Sequence, residues 1–238
     1  GGAQLIPLRM AEQLGKRVVL KAPVRRIVQK GNRVRVESDR LSLTARQAIV
    51  AVPPSVGARI EYAPALPPLR AELVQRYPQG STATFSAIYE KPFWREKGYS
   101  GRVGSDTDPV FLCIDNSPID AGTGILTGTT DGARARRLPR KSAAERRQAA
   151  LENFAVFFGD EALKPMMFLE RNWSVPQWTR GCPGFLPPGV LMEHGPAIRA
   201  PAGRVHWAST EHSTSWNTFM EGAVRRGEAV AREVLAAL

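Results

Sequence analysis

The sequence contains few cysteines and few histidines, and neither set forms a recognisable site. Its 238 residues include 2 cysteines, Cys113 and Cys182, and 3 histidines, His194, His206 and His212. Two cysteines make no disulfide framework, which fits a reducing compartment such as the cytoplasm. The histidines lack metal-ligand spacing with the cysteines or with carboxylates, so we expect no metal site.

Several longer signals are also missing. No apolar run approaches the roughly 18 residues of a membrane-spanning helix, so we expect no such span. No signal peptide is visible, and the sequence begins with Gly rather than Met. The Gly-x-Ser-x-Gly elbow of a serine hydrolase is absent. No Gly-x-Gly-x-x-Gly follows a strand near the first residues, so nothing in this sequence cradles a pyrophosphate in the usual way.

The charge is strongly basic, with 33 Lys and Arg against 22 Asp and Glu, a net charge of +11. Such a balance attracts polyanions. One basic cluster is visible: Arg134, Arg136, Arg137, Arg140 and Lys141. The other basic residues are scattered and do not alternate with aromatic residues, so we interpret them as solvated faces and expect no nucleic-acid partner.

The remaining composition is that of a folded protein with a mixture of helices and short strands. A hydrophobic fraction of 43% with 5 Trp predicts a core, and the length allows one large or two small domains. Helices are predicted over 4–14, 69–77, 131–136, 142–158 and from about 219. Strands are predicted over 17–20, 24–29, 33–37, 41–52, 81–89, 110–114, 124–128, 166–173 and 205–208. This pattern predicts an α/β class with an α+β mixture.

The last 36 residues combine a short apolar strand, a polar turn and a helix. Small hydroxyl side chains follow the strand at Ser209, Thr210, Ser213, Thr214 and Ser215. Open α/β sheets bind ligands at the carboxyl ends of their strands, and a helix N-terminus suits an anionic or electron-rich ligand edge. The pattern is compatible with a nucleotide-type ligand and also with an ordinary C-terminal strand and amphipathic helix.

This segment resembles the flavin-binding signature of the flavin-containing monoamine oxidase family. There, Ala-Gly-Thr-Glu ends a strand, and a later Trp leads into Gly-Tyr-Met-Glu-Gly-Ala. Ala208–Glu211 and Trp216–Ala223 match these motifs, with Ser209, Thr218 and Phe219 replacing two glycines and a tyrosine. Further matches are Gly1-Gly2, Pro23-Val24, Pro53-Pro54 and the Pro-Phe-Trp-Arg run at 92–95.

The resemblance covers essentially the whole chain and corresponds to the C-terminal half of such an enzyme. A fragment is the favoured interpretation, beside a separately encoded half or a degenerate descendant. The implied fold is the FAD-linked amine oxidase fold, with FAD-binding segments at 1–73 and 176–238 and an antiparallel-sheet substrate domain at 74–175. The implied cofactor is FAD, contacted by Val24, Trp178, Cys182, Ser209, Thr210, Glu211, Phe219, Met220 and Ala223.

Some family members attach the flavin covalently through a cysteine at the position of Cys182. The Cys-Pro-Gly context here departs from theirs, so covalent attachment and a packed free thiol both stay open. Two aromatic residues cage the substrate amine in the animal enzymes, and the matching positions here hold Pro183 and Phe219. Half of the cage is therefore absent.

The catalytic positions implied by the resemblance are Thr84, Trp173 and Phe219, and the substrate positions are Thr129 and Phe219. Family members carry a lysine at position 84 that holds a water beside the flavin N5, whereas Thr84 has a hydroxyl and no charge. The implied reaction is oxidative deamination of a small amine by dioxygen. The resemblance is also compatible with a homodimer. The alternatives are a related flavin enzyme, such as an amino-acid oxidase or desaturase, and a non-catalytic relic.

Overall fold

The computed structural model describes residues 2–106, 109–119 and 122–238, so Gly1 of the Gly1-Gly2 motif lies outside the described residues. The strands are β1 (Val24–Lys30), β2 (Arg33–Ser38), β3 (Ser42–Ala45), β4 (Ala48–Val50), β5 (Glu61–Ala63), β6 (Thr82–Tyr89), β7 (Val103–Gly104), β8 (Leu112–Asp115), β9 (Gly124–Asp131), β10 (Met167–Asn172) and β11 (Val205–Trp207). The helices are α1 (Leu5–Leu14), α2 (Pro54–Gly57), α3 (Pro68–Gln75), α4 (Phe93–Glu96), α5 (Gly132–Arg137), α6 (Ala143–Phe158), α7 (Val190–His194) and α8 (Met220–Ala236).

Short 3-10 helices add to these elements at Gly15–Arg17, Leu138–Arg140, Asp160–Leu163, Gly195–Ala197 and Thr210–His212. The mixture of helices and sheets confirms the α/β class. Residues 17–20, predicted as a strand, instead leave the first 3-10 turn without joining a sheet. No helix among residues 2–106, 109–119 and 122–238 is long and apolar enough to cross a membrane.

The chain forms two compact units. The first contains Gly1–Gln75 and Met192–Leu238, and the second contains Arg76–Leu191. The first unit is thus built from both ends of this chain and the second from its middle. The binding roles predicted for 1–73, 74–175 and 176–238 remain predictions.

The first unit holds two sheets. One has the order β3-β2-β1-β5, with antiparallel pairs except for the parallel pair β1–β5. Gly31, at a φ of 57°, closes the hairpin between β1 and β2 as the Lys-Gly-Asn turn predicts. The other sheet is the parallel pair β4–β11. Its residues Val50, Val205 and Trp207 share one core with Ile27 and Val34.

The second unit is an antiparallel sheet of order β10-β6-β9-β8-β7, covered on one face by α6. The buried face of β6 carries Ala83, Phe85, Ala87 and Tyr89, as the alternation of the sequence predicts. The Ser142 capping box begins α6, also as predicted. The other face is half-buried and lined by hydroxyls, and we call it the hydroxyl face; its hydroxyl residues are Thr82, Thr84, Ser86, Thr127 and Thr129.

Candidate functional site

The candidate site of the first unit is the turn between β11 and α8. β11 is buried along its whole length, and the 3-10 helix Thr210–His212 follows it. Thr210 Oγ1 donates a hydrogen bond to the carbonyl oxygen of Phe219 at 2.8 Å. Asn217 Nδ2 donates to the carbonyl oxygen of Glu211 at 3.1 Å. These two bonds tie the beginning of the turn to its end.

The turn has an unfavourable backbone conformation that its surroundings maintain. Trp216 and Thr218 have left-handed φ values of 53° and 72°, which cost a residue with a Cβ about 1–2 kcal/mol each. Gly222 in the first turn of α8 makes this conformation possible. A Cβ there would clash with the carbonyl oxygen of Trp216 and lie 2.8 Å from Thr210 Oγ1. Strain of this kind is concentrated at ligand sites.

Large apolar side chains surround the N-terminus of α8 and are exposed. Trp216, Phe219 and Met220 are 58%, 61% and 53% exposed, and the rings of Trp216 and Phe219 meet edge to face. Phe219 is the N-cap residue of this 17-residue helix, and its side chain makes no capping hydrogen bond. Apolar surface beside uncapped backbone N–H groups fits a flat ring system with hydrogen-bonding atoms along its edge, which is the chemistry of a flavin.

The predicted cofactor residues of this segment divide into buried and accessible side chains. Ser209 and Glu211 are buried, whereas Thr210, Phe219, Met220 and Ala223 reach the surface. Ser209 Oγ lies 2.7 Å from Nδ1 of His212. Ser209 therefore shapes the turn from inside. Val24, also predicted to contact the cofactor, lies in the same unit at the beginning of β1 and is half-buried.

Behind this turn, Arg70 and His212 form a buried cluster that the sequence did not predict. Arg70 is 3% exposed, and its guanidinium carbon lies 3.8 Å from the centroid of the Trp207 ring. Its Nη1 donates to the carbonyl oxygens of Ala197 and Ile198 at 3.2 and 3.0 Å. Burial lowers the pKa of Arg70 to about 10, so it is charged at neutral pH.

His212 is neutral in this cluster. Arg70 Nη2 lies 3.0 Å from its Nε2, and Ser209 Oγ lies 2.7 Å from its Nδ1. A neutral imidazole has one acceptor nitrogen, and since a guanidinium can only donate, Nε2 is that acceptor and Nδ1–H donates to Ser209 Oγ. Protonating the ring would place a hydrogen on Nε2 against the guanidinium. Burial, together with the charges of Arg70 and Arg226, lowers the pKa of His212 to about 3. Because Arg70 and His212 are far apart in the chain, no local pattern could have revealed this cluster.

In the second unit, the structure brings Thr84 and Thr129 together as cross-strand neighbours on β6 and β9. On its other side, Thr84 pairs with Arg171 of β10. Trp173 follows β10, and its backbone N–H donates to the carbonyl oxygen of Thr82 at 3.0 Å. The guanidinium carbon of Arg171 lies 5.5 Å from the centroid of the Trp173 ring. Three predicted positions are therefore neighbours on the hydroxyl face.

Cys182 and Trp178 lie in the loop between β10 and α7, and both side chains are exposed. The backbone around Cys182 is tightly held. Its N–H donates to the carbonyl oxygen of Gly80 at 3.0 Å, and the N–H of Gly80 donates to the carbonyl oxygen of Pro183 at 2.7 Å. This loop is thereby fixed to the end of β6 within the second unit.

Comparison with known proteins assigns the chain to a family. The sequence model described as flavin containing amine oxidoreductase matches residues 1–235. The chain belongs to this family. The match confirms the family, the oxidoreductase class and the flavin cofactor, FAD, that the sequence predicts.

Two relatives and one solved structure illustrate the similarity to members of the flavin-containing amine oxidoreductase family. A putative flavin-containing monoamine oxidase AofH from Mycobacterium tuberculosis is 44% identical over 100% of this chain and 52% of its own length. An L-amino acid dehydrogenase from Synechocystis is 40% identical over 100% of this chain and 51% of its own length. The chain thus spans about half the length of the curated relatives it matches.

The solved structure is that of wild-type putrescine oxidase bound to putrescine. It superimposes on the chain with a TM-score of 0.96 at 32% identity, covering 99% of this chain and 53% of the other. Together with the family match, this similarity confirms the FAD-linked amine oxidase fold predicted from the sequence.

Proposed function

We propose that the chain is the C-terminal half of an FAD-dependent amine oxidase. The enzyme would convert an amine, dioxygen and water into an aldehyde, ammonia and hydrogen peroxide. The observation that carries this proposal is the family match over residues 1–235. The chain also matches its relatives over nearly all of its own length and about half of theirs, which supports its being one half of such an enzyme.

In this proposal, residues 1–73 and 176–238 would hold the cofactor, and a bound flavin would supply the capacity to take a hydride equivalent from the carbon that bears the amine. The turn between β11 and α8 meets the flavin edge. Thr210, Phe219 and Met220 supply accessible contacts there, while buried Ser209 and Glu211 keep the turn in shape. Val24, Trp178, Cys182 and Ala223 complete the predicted cofactor set.

Residues 74–175 form the substrate domain of the proposed enzyme. Thr84 and Thr129 orient the substrate or a water through their hydroxyls, and Trp173 and Phe219 exclude bulk water with apolar surface. Thr84 carries no charge, whereas the resemblance implies a lysine at this position that holds a water beside the flavin N5 and assists reoxidation by dioxygen. We therefore expect reoxidation by dioxygen to be slow, while oxidation of the amine itself is retained.

The compartment and the assembly belong to the same proposal. Cys113 is buried and Cys182 exposed, and neither forms a disulfide in the part of the chain that the structure describes, which supports a reducing compartment, the cytoplasm. A homodimer is proposed from the family resemblance. Sedimentation measures the mass of the holoenzyme in solution. A mass equal to that of one polypeptide would contradict the dimer.

The first test is an absorption spectrum of the enzyme purified as its full natural polypeptide. We expect the absorption bands of a flavin. Adding an amine in the absence of oxygen should bleach these bands, and admitting dioxygen should restore them. A protein that refuses FAD would contradict the proposal. Bands that return only with an artificial electron acceptor would make the enzyme a dehydrogenase. Colour that stays with the acid-precipitated protein, and is lost in Cys182→Ser, would establish a covalent link.

A further inference from the structure

Arg171 is an unusual residue on the hydroxyl face of the second unit. The register of the antiparallel sheet assigns to this face Thr82, Thr84, Ser86, Ile88, Leu112, Ile114, Ile125, Thr127, Thr129, Asp131, Met167, Leu169 and Arg171. Among these strand positions, Arg171 and Asp131 are the charged ones. The remainder is hydroxyls bordered by apolar side chains.

Asp131 and Arg171 differ in the partners that their charged groups contact. Asp131 accepts a hydrogen bond from the hydroxyl of Thr82. Arg171 forms no ion pair with any residue that the structure describes and contacts the ring of Trp173 instead. On the opposite face of the same unit, Arg146 pairs with Glu170 at 2.6 Å. Arg171 is therefore a cation whose donors are available to a ligand.

A guanidinium offers paired N–H donors in a fork that matches a carboxylate, and it repels an ammonium group. Thr84 is the cross-strand neighbour of Arg171, with side chains about 4.5–5.5 Å apart at Cβ. Its hydroxyl can donate to the second oxygen of a carboxylate bound at Arg171. Trp173 limits the freedom of the guanidinium by lying beneath it.

We propose that Arg171, supported by Thr84 and Trp173, binds the carboxylate of the substrate, so that the enzyme prefers amines that carry a carboxylate, such as amino acids. This inference rests on the proposed function and specifies its substrate class. With an α-amino acid, the carbon that bears the amine keeps its carboxylate, so the carbonyl product is a 2-oxo acid in place of the aldehyde, while ammonia and hydrogen peroxide are formed as before. It predicts a preference for amino acids over the amines that differ from them by loss of the carboxylate.

The test compares matched substrate pairs in the FAD-loaded enzyme. L-Phenylalanine is paired with 2-phenylethylamine, and L-leucine with 3-methylbutylamine, measured as rates of flavin reduction without oxygen. Arg171→Met should lower the second-order rate constant of flavin reduction by the amino acid of each pair by about ten- to a hundredfold, which is the usual effect of losing a hydrogen bond to a charged group. The same change should leave the simple amine unaffected or improve it, and Arg171→Lys should restore part of the loss.

Arg147→Met is the matched control. Arg147 is also exposed and lies over an aromatic ring, that of Phe168 at 5.9 Å, but on the opposite face of β10. A second measurement does not depend on turnover. Calorimetric titration with benzoate should give a Kd at least tenfold weaker in Arg171→Met and unchanged in Arg147→Met.

The outcomes separate this inference from the proposed function. No flavin reduction by any amine or amino acid would overturn the proposed function. Reduction by simple amines but not by the amino acids would overturn the inference alone. Equal loss for both members of each pair, or benzoate binding unaffected by Arg171→Met, would also overturn it and leave Arg171 a structural residue.

Discussion

His212 is held neutral by its neighbours, and that neutrality makes stability depend on pH. Its folded pKa of about 3 lies below the ordinary value of 6.5, so the unfolded chain takes up this proton first as the pH falls. The full contribution of the neutral ring is present above pH 6.5. It is lost progressively below that pH, at about 1.4 kcal/mol per pH unit, until the folded pKa is reached.

We therefore expect His212→Gln to flatten the dependence of stability on pH between pH 6.5 and 4. Glutamine keeps an acceptor for Arg70 and does not titrate. The measurement is urea unfolding of wild type and variant at several pH values in this range. Parallel pH profiles for the two proteins would show that His212 is not the titrating group.

At the residue scale, the sequence predicts proximity where residues are close in the chain. The motif residues Thr210 and Phe219 lie in one turn and are joined by a hydrogen bond, so their proximity follows from their spacing. Arg70 has no such signal. An arginine in an amphipathic helix is normally solvated, and only the tertiary fold places it on the ring of Trp207.

At the element scale, α8 carries two glycines in contrasting surroundings. Gly222 is packed against Trp216 and Thr210, whereas a Cβ on Gly227 would meet nothing within 4 Å. One glycine is therefore required by close approach, and the other only adds flexibility to the helix.

Gly222→Ala should displace the turn and weaken FAD binding by about ten- to a hundredfold, because the added methyl cannot fit without moving Trp216. Gly227→Ala, the matched change in the same helix, should raise the free energy of unfolding by about 0.5–1 kcal/mol. The measurements are an FAD titration and urea unfolding. Normal FAD affinity in Gly222→Ala would show that the turn does not form the cofactor contact.

The elements that the sequence predicted best have strong periodicity. β6 alternates over its whole length because one face packs on α6 and the other carries hydroxyls. The predicted strand over 41–52 is instead two strands, β3 and β4, in different sheets. Arg46 and Gln47 separate the two strands. The sequence does not reveal this interruption, because it is set by the pairing of β4 with β11, which lies in a distant part of the chain.

At the scale of the whole molecule, the 238 residues expose much apolar surface. α1 has no buried residue, and Leu5, Ile6, Leu8, Met10 and Leu14 are 39–57% exposed on it. Trp216, Phe219 and Met220 add a second exposed patch. Contiguous apolar surface of this kind drives association in water.

The isolated 238-residue polypeptide should therefore self-associate, and the double change Ile6→Lys with Met10→Lys should reduce that association. Val156→Lys is the control, because Val156 is 74% exposed on α6 and lies outside both patches. Sedimentation velocity over a range of concentrations measures the effect. A monomeric wild-type polypeptide at every concentration would contradict the expectation.

The pairing of β4 with β11 also has a consequence for biosynthesis. Residues 48–50 leave the ribosome well before residues 205–207, their only partners in this sheet among the described residues. At 5–20 residues per second the delay is roughly 8 to 30 s. During that interval the central unit, Arg76–Leu191, emerges with all of its own strands. Among the described residues, β4 therefore has no strand partner throughout the synthesis of the middle of the chain, and a ribosome-associated chaperone could cover its edge during that interval.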